Sequence, residues 1–404
     1  MRRNAGPLRE REFRLLFLGR TISVAGSVIA PIALAFAVLE LTDSLSALGL
    51  VLAARTVPQI VFLLLGGVWA DRLPRHLVMV GSNVVSGLAQ GAVALLLLTD
   101  VAELWHLIAL QLVAGASSAF FLPASGGIVP QTVPRELLQP ANTLLRLSLN
   151  STQIAGAALG GVLVATAGSG WALAFDALTF LVAGVVLALM RLPQMERAET
   201  RNLLADLQAG WREFSARTWL WGVVVGFGLL NATHEGATNV LGPAVARDDL
   251  GGADSWGLIV SAKAAGLVVG GLLLLRYRPR RPLLVGCAAA AFSAPGILLL
   301  ALEAPVGLIA LAYLLSGIGI ELLAVLWDVA LQENVPQETL SRVYSYDMLG
   351  SFVLVPVGLL AAGPIAHAIG RDATLFGAVA LLLVVVAGML SIRDVWRLER
   401  RATT

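Results

Sequence analysis

The stretch Val133-Pro134-Arg135-Glu136-Leu137-Leu138 occurs again, in altered form, as Val335-Pro336-Gln337-Glu338-Thr339-Leu340. The second copy begins 202 residues after the first, in a chain of 404 residues. The same offset relates Gly168 to Gly370. Weak internal symmetry laid over apolar segments is typical of membrane transporters built from repeated halves. The sequence therefore predicts two related halves.

The composition indicates a membrane protein. The chain is 57% hydrophobic and 13% charged, and its mean hydropathy is +0.82. Soluble proteins carry roughly 25% charged residues, so a single soluble core could not bury this much apolar surface. One cysteine, Cys287, excludes an internal disulfide, and no Cys/His cluster indicates a metal site. The charged N-terminus runs into a long apolar stretch without a signal-peptide cleavage pattern, which predicts a retained first span.

Twelve stretches are long and apolar enough to cross a bilayer, which takes about 20 residues each. The sequence thus predicts an all-α membrane protein of twelve transmembrane helices in two pseudo-symmetric six-helix halves. The predicted halves are residues 1–192 and 218–404. The predicted spans are 14–40, 46–70, 76–99, 104–128, 141–167, 171–192, 218–245, 254–275, 282–302, 305–330, 341–368 and 372–392.

Basic and acidic residues are distributed unevenly between the loops. If both termini are cytoplasmic, the inner loops hold most of the arginines, whereas the outer loops are mainly acidic, as the positive-inside rule requires. Segment 193–217 is then the one long cytoplasmic connection. Leu203, Leu207, Trp211 and Phe214 recur in it at helical spacing, which predicts an amphipathic helix at the membrane surface. A disordered linker is the alternative.

The loop after the second predicted span carries a recognisable signature. Gly67-Val68-Trp69-Ala70-Asp71-Arg72-Leu73-Pro74-Arg75-His76 resembles the G-x-x-x-D-R-x-G-R-R loop of the major facilitator superfamily. Gly67, Asp71, Arg72 and Arg75 match, whereas Pro74 and His76 depart from the pattern. The resemblance implies a cytoplasmic latch in which Asp71 faces the positive N-terminus of the eleventh helix. A plain positive-inside loop is the alternative.

Two further blocks narrow the resemblance. Residues 121–142 and 326–345 resemble the drug:proton antiporter subfamily that includes macrolide efflux proteins and the enterobactin exporter. This resemblance covers essentially the whole chain. It implies a cavity between six-helix halves, alternating access and export of a small organic molecule. Asp328 belongs to the second block, where a structural latch is the favoured role.

The fifth predicted span resembles, in part, an antiporter signature. Gly156-Ala157-Ala158-Leu159-Gly160-Gly161 matches G-P-x-x-G-G except that Ala157 replaces the proline. Small residues at this spacing also let helices approach closely, so Gly156, Gly160 and Gly161 are equally well explained as packing glycines. Two other positions also depart from relatives: Gln111 stands where other drug antiporters have an arginine, and Gly26-Ser27 lacks the acid of exporter relatives.

Ionisable residues within predicted spans are the candidates for coupling, because each costs at least ~2.5–3.5 kcal/mol at a helix centre on insertion scales. Glu321 lies in an otherwise small and apolar run of the tenth span. Glu235, beside His234, lies at a depth similar to Lys263, and either a structural Glu235–Lys263 pair or a titrating site explains them. For Arg55 and Asp176, a helix-stabilising contact is the favoured interpretation.

The sequence thus predicts a transporter and not an enzyme. No P-loop, GxGxxG junction or hydrolase triad is present, so no cofactor is expected. The favoured function is proton-coupled export of small amphiphilic molecules by a monomer in the bacterial cytoplasmic membrane. The expected partners are the substrate, protons and lipid, without nucleic acid. An importer or facilitator of a native metabolite, and a membrane scaffold or sensor, are the alternatives. Glu321 is the first choice for the coupling carboxylate, and Glu235 the second.

Overall fold

The structure is a computed structural model, and it describes residues 6–70, 74–192, 211–277 and 279–399. The described residues form helices and their connections. Eleven helical stretches among them are long and apolar enough to cross a membrane. The predicted all-α fold is confirmed.

The chain divides into two compact units. The first comprises residues 1–199 with Gly252–Gly257, and the second comprises residues 200–251 and 258–404. In the first unit, α6 packs on both α3 and α1, α2 packs on α4, and α5 packs on α1. The helices of this unit are α1 (Arg11–Thr42), α2 (Leu45–Ala70), α3 (Arg75–Leu98), α4 (Leu104–Gly127), α5 (Leu138–Ala167) and α6 (Ser169–Ala188).

The second unit has more interruptions, so several predicted spans consist of two helices. The ninth span breaks at a 3₁₀ turn, Ala290–Ser293, and the eleventh breaks between Phe352 and Val355. Its helices are α7 (Thr218–Glu235), α8 (Gly242–Asp249), α9 (Ala253–Arg276), α10 (Pro282–Ala289), α11 (Ala294–Ala301), α12 (Val306–Asn334), α13 (Gln337–Phe352), α14 (Val355–Ile369), α15 (Arg371–Ser391) and α16 (Arg393–Arg397).

The prolines explain two of these breaks. Proline lacks an N–H, so it cannot continue the helical hydrogen-bond ladder but fits the first turn of a helix. Pro295 and Pro356 stand in the first turns of α11 and α14. The seventh predicted span is different: a π-helical turn, Gly236–Leu241, separates α7 from α8.

The repeat is visible in the local geometry of the helix junctions. Gly168 joins α5 to α6 with φ 89° and ψ 163°, and Gly370 joins α14 to α15 with φ 93° and ψ 152°. Only glycine adopts such dihedrals without steric cost. Asp100 and Glu303, just after the ends of α3 and α11, both have positive φ, of 55° and 49°. Gly168 and Gly370, which the repeat relates, thus have matching backbone conformations.

The end of the predicted linker packs on the second unit. Residues 193–210 lie outside the described residues, whereas residues 211–215 are helical. The Trp211 and Phe214 rings lie 5.4 and 5.8 Å, between centroids, from the Tyr346 ring on α13. Phe214 is buried there. This part of the linker is therefore anchored by aromatic contacts within the protein.

The close approach of α7 and α14 can be tested by substituting a glycine at their contact. A methyl group at Gly358 on α14 would overlap the carbonyl oxygen of Ala232 on α7, whereas a methyl group at Gly377 on α15 has nothing within 4 Å. Overpacking of this kind costs about 1–3 kcal/mol. We expect Gly358→Ala to lower the unfolding temperature of the purified protein in detergent, as followed by intrinsic fluorescence.

Gly377→Ala is the matched control, because both substitutions gain the same helix propensity of about 1 kcal/mol. It should keep or raise the unfolding temperature. Equal unfolding temperatures for the two variants would contradict the close approach.

Candidate functional site

The second unit brings a lysine and a histidine together within the membrane-spanning helices. Nζ of Lys263 on α9 lies 2.9 Å from Nε2 of His234 on α7. Both side chains are half-buried. Because an ammonium group only donates, Nε2 of His234 has to be the accepting nitrogen of a neutral imidazole if Lys263 is charged.

This contact restricts the protonation states. Two cations at this distance would repel each other, so the pair holds one positive charge at most. In the neutral imidazole just described, Nδ1 carries the proton, yet Nδ1 is buried without a hydrogen-bond partner among the described residues. A buried N–H without a partner is costly. The free energy of this pair therefore depends on which nitrogen carries the proton.

Glu235 lies beside His234 at the last residue of α7. Its carboxylate accepts a hydrogen bond from the amide of Asn239, four residues later in the π-helical turn. Single π-helical turns inside helices occur frequently at functional sites. Asn239 was not singled out from the sequence, although its i+4 spacing from Glu235 is the signal that would have found it.

The structural pair between Glu235 and Lys263, one of the two interpretations of these residues, stays a prediction: the Glu235 charge acts on Lys263, but the hydrogen-bond partners of the two side chains differ. Among the described residues, Lys263 contacts His234, and Glu235 contacts Asn239. The prediction of similar depth placed the residues in the right neighbourhood. Spacing along each helix did not identify the hydrogen-bond partners, which are His234 for Lys263 and Asn239 for Glu235.

Glu321 lies on α12 and faces glycines of α9. A methyl group at Gly270 would come within 2.9 Å of Cβ of Glu321, and one at Gly271 within 3.5 Å of its Oε1. One turn earlier on α12, Gly317 packs against the backbone of Lys263. Glu321 and the backbone of Lys263 therefore lie along the same α9–α12 contact, while the Lys263 side chain reaches His234 on α7. Glu321 is half-buried.

Asp328 is exposed near the end of α12. Its Oδ1 accepts a hydrogen bond from the Tyr344 hydroxyl at 3.1 Å, which ties α12 to α13. Next to it, Trp327 Nε1 donates to Asp347 at 3.0 Å, and the Ser351 hydroxyl donates to the other Asp347 oxygen at 3.2 Å. These contacts hold α12 against α13, in line with a structural role for this block.

The structure describes only some residues of the loop signature between α2 and α3. Gly67 lies in the last turns of α2, and Arg75 is the first residue of α3, half-buried. Asp71 and Arg72 lie outside the described residues, so their predicted latch role stays a prediction.

The three signature glycines of α5 all lie at helix contacts within the first unit. A methyl group at Gly156 would come within 3.1 Å of Val28, and one at Gly160 within 3.2 Å of Ile29, both on α1. At Gly161 the same group would lie 2.8 Å from Cα of Gly257, at the start of α9. Close packing accounts for each position.

The first unit contains a buried chain of polar side chains that sequence reasoning did not assemble. Arg55 Nη1 donates to Gln111 Oε1 at 3.4 Å, Gln111 Nε2 donates to Gln90 Oε1 at 2.9 Å, and Gln90 Nε2 donates to Asp176 Oδ2 at 2.9 Å. The chain crosses α2, α4, α3 and α6. The sequence singles out Arg55, Gln111 and Asp176 one by one. It does not single out Gln90, an amide within the third predicted span.

An apolar cleft opens between α3 and α4 in the same unit. Its volume is about 540 Å³, and its walls carry Leu77, Val85, Val113 and Phe120. Among the lining residues, Ser82 and Ser117 bring hydroxyl groups. An apolar wall with a few polar groups is typical of small-molecule sites.

Curated relatives match almost the full length of the chain. Macrolide efflux protein A of Streptococcus pyogenes is 22% identical over 390 residues, covering 94% of this chain and 96% of the relative. The multidrug efflux pump Tap of Mycolicibacterium fortuitum is 26% identical and covers 89% and 90% of the two chains. The enterobactin exporter EntS of Citrobacter koseri is 29% identical and covers 94% and 92%.

Solved structures show the same fold. The nucleoside transporter NupG aligns with a TM-score of 0.74 at 13% identity, over 96% of this chain and 99% of its own. A bacterial homologue of the lysosomal transporter Spinster aligns with a TM-score of 0.74 at 15% identity, over 99% and 100%. The family model described as transmembrane secretion effector matches residues 3–400. The chain therefore belongs to the transmembrane secretion effector family of the major facilitator superfamily.

Proposed function

We propose that the protein exports small amphiphilic organic molecules by proton antiport, through alternating access between its two halves. The activities for which the relatives are named, macrolide efflux, multidrug efflux and enterobactin export, support the direction and the substrate class. The apolar α3–α4 cleft supports a substrate with a large apolar surface.

The observation that carries the coupling is the Lys263–His234 contact. It places groups that share one positive charge inside the membrane-spanning helices, beside Glu235, and the backbone of Lys263 lies along the same helix contact as Glu321. Ionisable groups at this depth are costly and mark ion or proton pathways. Carboxyl, imidazole and amine groups can all release a proton, whereas arginine cannot.

The setting of the transporter follows from the same reasoning. We place it as a monomer in the bacterial cytoplasmic membrane, with both termini in the cytoplasm, because this orientation puts the arginine-rich loops inside. Residues 1–192 and 218–404 then form the moving halves, and residues 193–217 connect them on the cytoplasmic side.

The direction and coupling of transport give the first functional test. In proteoliposomes with an acidic lumen, an antiporter of either orientation drives its substrate toward the acidic side. With the membrane potential clamped at zero, each exchanged proton sustains about a tenfold gradient of a neutral substrate per pH unit. We expect a radiolabelled macrolide or catecholate siderophore to accumulate in the lumen.

Protein-free liposomes with the same pH gradient correct for passive trapping of weak bases. Accumulation on the alkaline side would indicate a proton symporter, and equal flux with and without the gradient would indicate a facilitator. Either result would rule out antiport.

Glu321 is the proposed main coupling group. We expect Glu321→Gln to abolish pH-driven accumulation while leaving downhill counterflow measurable, because the amide keeps the shape of the side chain but holds no exchangeable charge. Both fluxes are measured in the same proteoliposomes. If Glu321→Gln still concentrates substrate, the assignment passes to Glu235, and Glu235→Gln should then lose accumulation.

The proposed latch residue can be tested separately. Asp71→Asn removes the charge that would face the N-terminus of α13, where anions are favoured by typically 0.3–1 kcal/mol. We expect slower transport with nearly unchanged substrate affinity, measured as flux and equilibrium binding on one preparation. Wild-type transport rates in this variant would remove the latch from the mechanism.

A further inference from the structure

The polar chain of the first unit has one consistent direction. Each link donates toward Asp176: Arg55 to Gln111, Gln111 to Gln90, and Gln90 to Asp176. Each amide thus accepts a hydrogen bond at its oxygen and donates one from its nitrogen. The chain is therefore polarised from the guanidinium to the carboxylate. In such chains, the hydrogen bonds strengthen one another cooperatively. Gln90, Gln111 and Asp176 are fully buried.

The chain uses only one of the two carboxylate oxygens. Oδ2 accepts from Gln90, whereas Oδ1 is buried and has no hydrogen-bond partner among the described residues. It faces Gly26 on α1, where a methyl group would come within 2.6 Å of this oxygen. An ionised carboxylate with a buried oxygen that accepts no hydrogen bond from the protein is costly, and a proton on Oδ1 would remove the charge without disturbing the bond to Gln90.

The other charged groups on the neighbouring elements lie more than one helical turn along their helices from the residues nearest to the chain. Arg55 on α2 is the cation whose charge acts on Asp176. On α1, Arg20 and Glu40 lie six and fourteen residues from Gly26, about 9 and 21 Å along the helix axis. On α3, Arg75 and His76 lie at least fourteen residues from Gln90, about 21 Å. On α5, Arg146 lies ten residues before Gly156, about 15 Å.

We propose that Asp176 is a second proton-binding group of the transport cycle and adds one proton to the exchange, while exchange of the Glu321 proton stays required for every cycle. The proposal rests on the proton antiport proposed above. A proton from the acidic side forms an O–H bond at Oδ1 and neutralises the carboxylate, and its release on the other side restores the charge. Arg55 then keeps its positive charge throughout and loses only its distant counter-charge when Asp176 is protonated.

A permanently charged structural Asp176 is the competing explanation. In that case the charge would hold α6 to its neighbours through the chain to Arg55. Asp176→Asn separates the two, because its carbonyl oxygen still accepts from Gln90 while the charge is gone. Loss of a structural charge should lower the unfolding temperature, whereas neutralising a carboxylate with an oxygen that accepts no hydrogen bond from the protein should preserve or raise it.

The test measures how much substrate a given pH gradient sustains. With the membrane potential clamped at zero and a gradient of one pH unit, loss of one coupled proton should lower the steady-state substrate ratio about tenfold. We expect this fall for Asp176→Asn, with downhill exchange unchanged. Asp347→Asn is the matched control: Asp347 is also buried, but Trp327 and Ser351 occupy both of its oxygens, so the ratio should not fall.

Infrared difference spectra between acidic and alkaline pH give an independent readout. Measured in the Glu321→Gln background, which removes the band of the proposed main coupling carboxyl, we expect a protonated-carboxyl band that is lost when Asp176→Asn is added and kept when Asp347→Asn is added. An unchanged substrate ratio in Asp176→Asn, a band that persists when Asp176→Asn is added to Glu321→Gln, or failure of this isosteric variant to fold would each overturn the proposal. Gradient-independent flux in the wild type would instead refute antiport, and the infrared band would still decide whether Asp176 takes up a proton.

Discussion

A polar group inside hydrocarbon has to find its partner within the protein, and this constraint shapes both units. Water does not compensate an unpaired charge or amide at that depth. In the first unit, a chain of two amides connects Arg55 to Asp176 across four helices. In the second unit, the side chains contact each other directly beside a π-helical turn, Lys263 with His234 and Glu235 with Asn239.

Close helix packing is what makes such burial possible. Gly115 on α4 packs directly on the carbonyl group of Arg55, and Gly26 on α1 leaves room for Asp176. In the second unit, Gly270 of α9 similarly faces Glu321. In membranes, small residues let helix backbones approach, and here they lie beside the ionisable side chains. The glycines therefore determine how closely the helices approach at these residues.

The fold could be predicted from the sequence because its signals are periodic and redundant. Hydropathy gave the helices, and the repeated Val-Pro stretch and Gly168/Gly370 gave the two halves, whose junction geometries match. The breaks inside the ninth and eleventh spans were missed, since hydropathy does not register where a proline begins a new helix. The π-helical turn was missed too, because nothing in the local sequence marks it; in the structure, Gly236 at its first residue packs against the carbonyl oxygen of Gly358.

From the sequence, the candidate site could be predicted only as a set of residues at similar depth in the membrane. Counting residues along α7 and α9 correctly brought His234, Glu235 and Lys263 to one level, but it could not choose which side chains meet. Gln90 was overlooked for a related reason: an uncharged amide in a span has no signal of its own, and its meaning appears only when Gln111 and Asp176 lie on either side. Charged residues can thus be found from sequence, whereas the neutral groups that connect them require the packed helices.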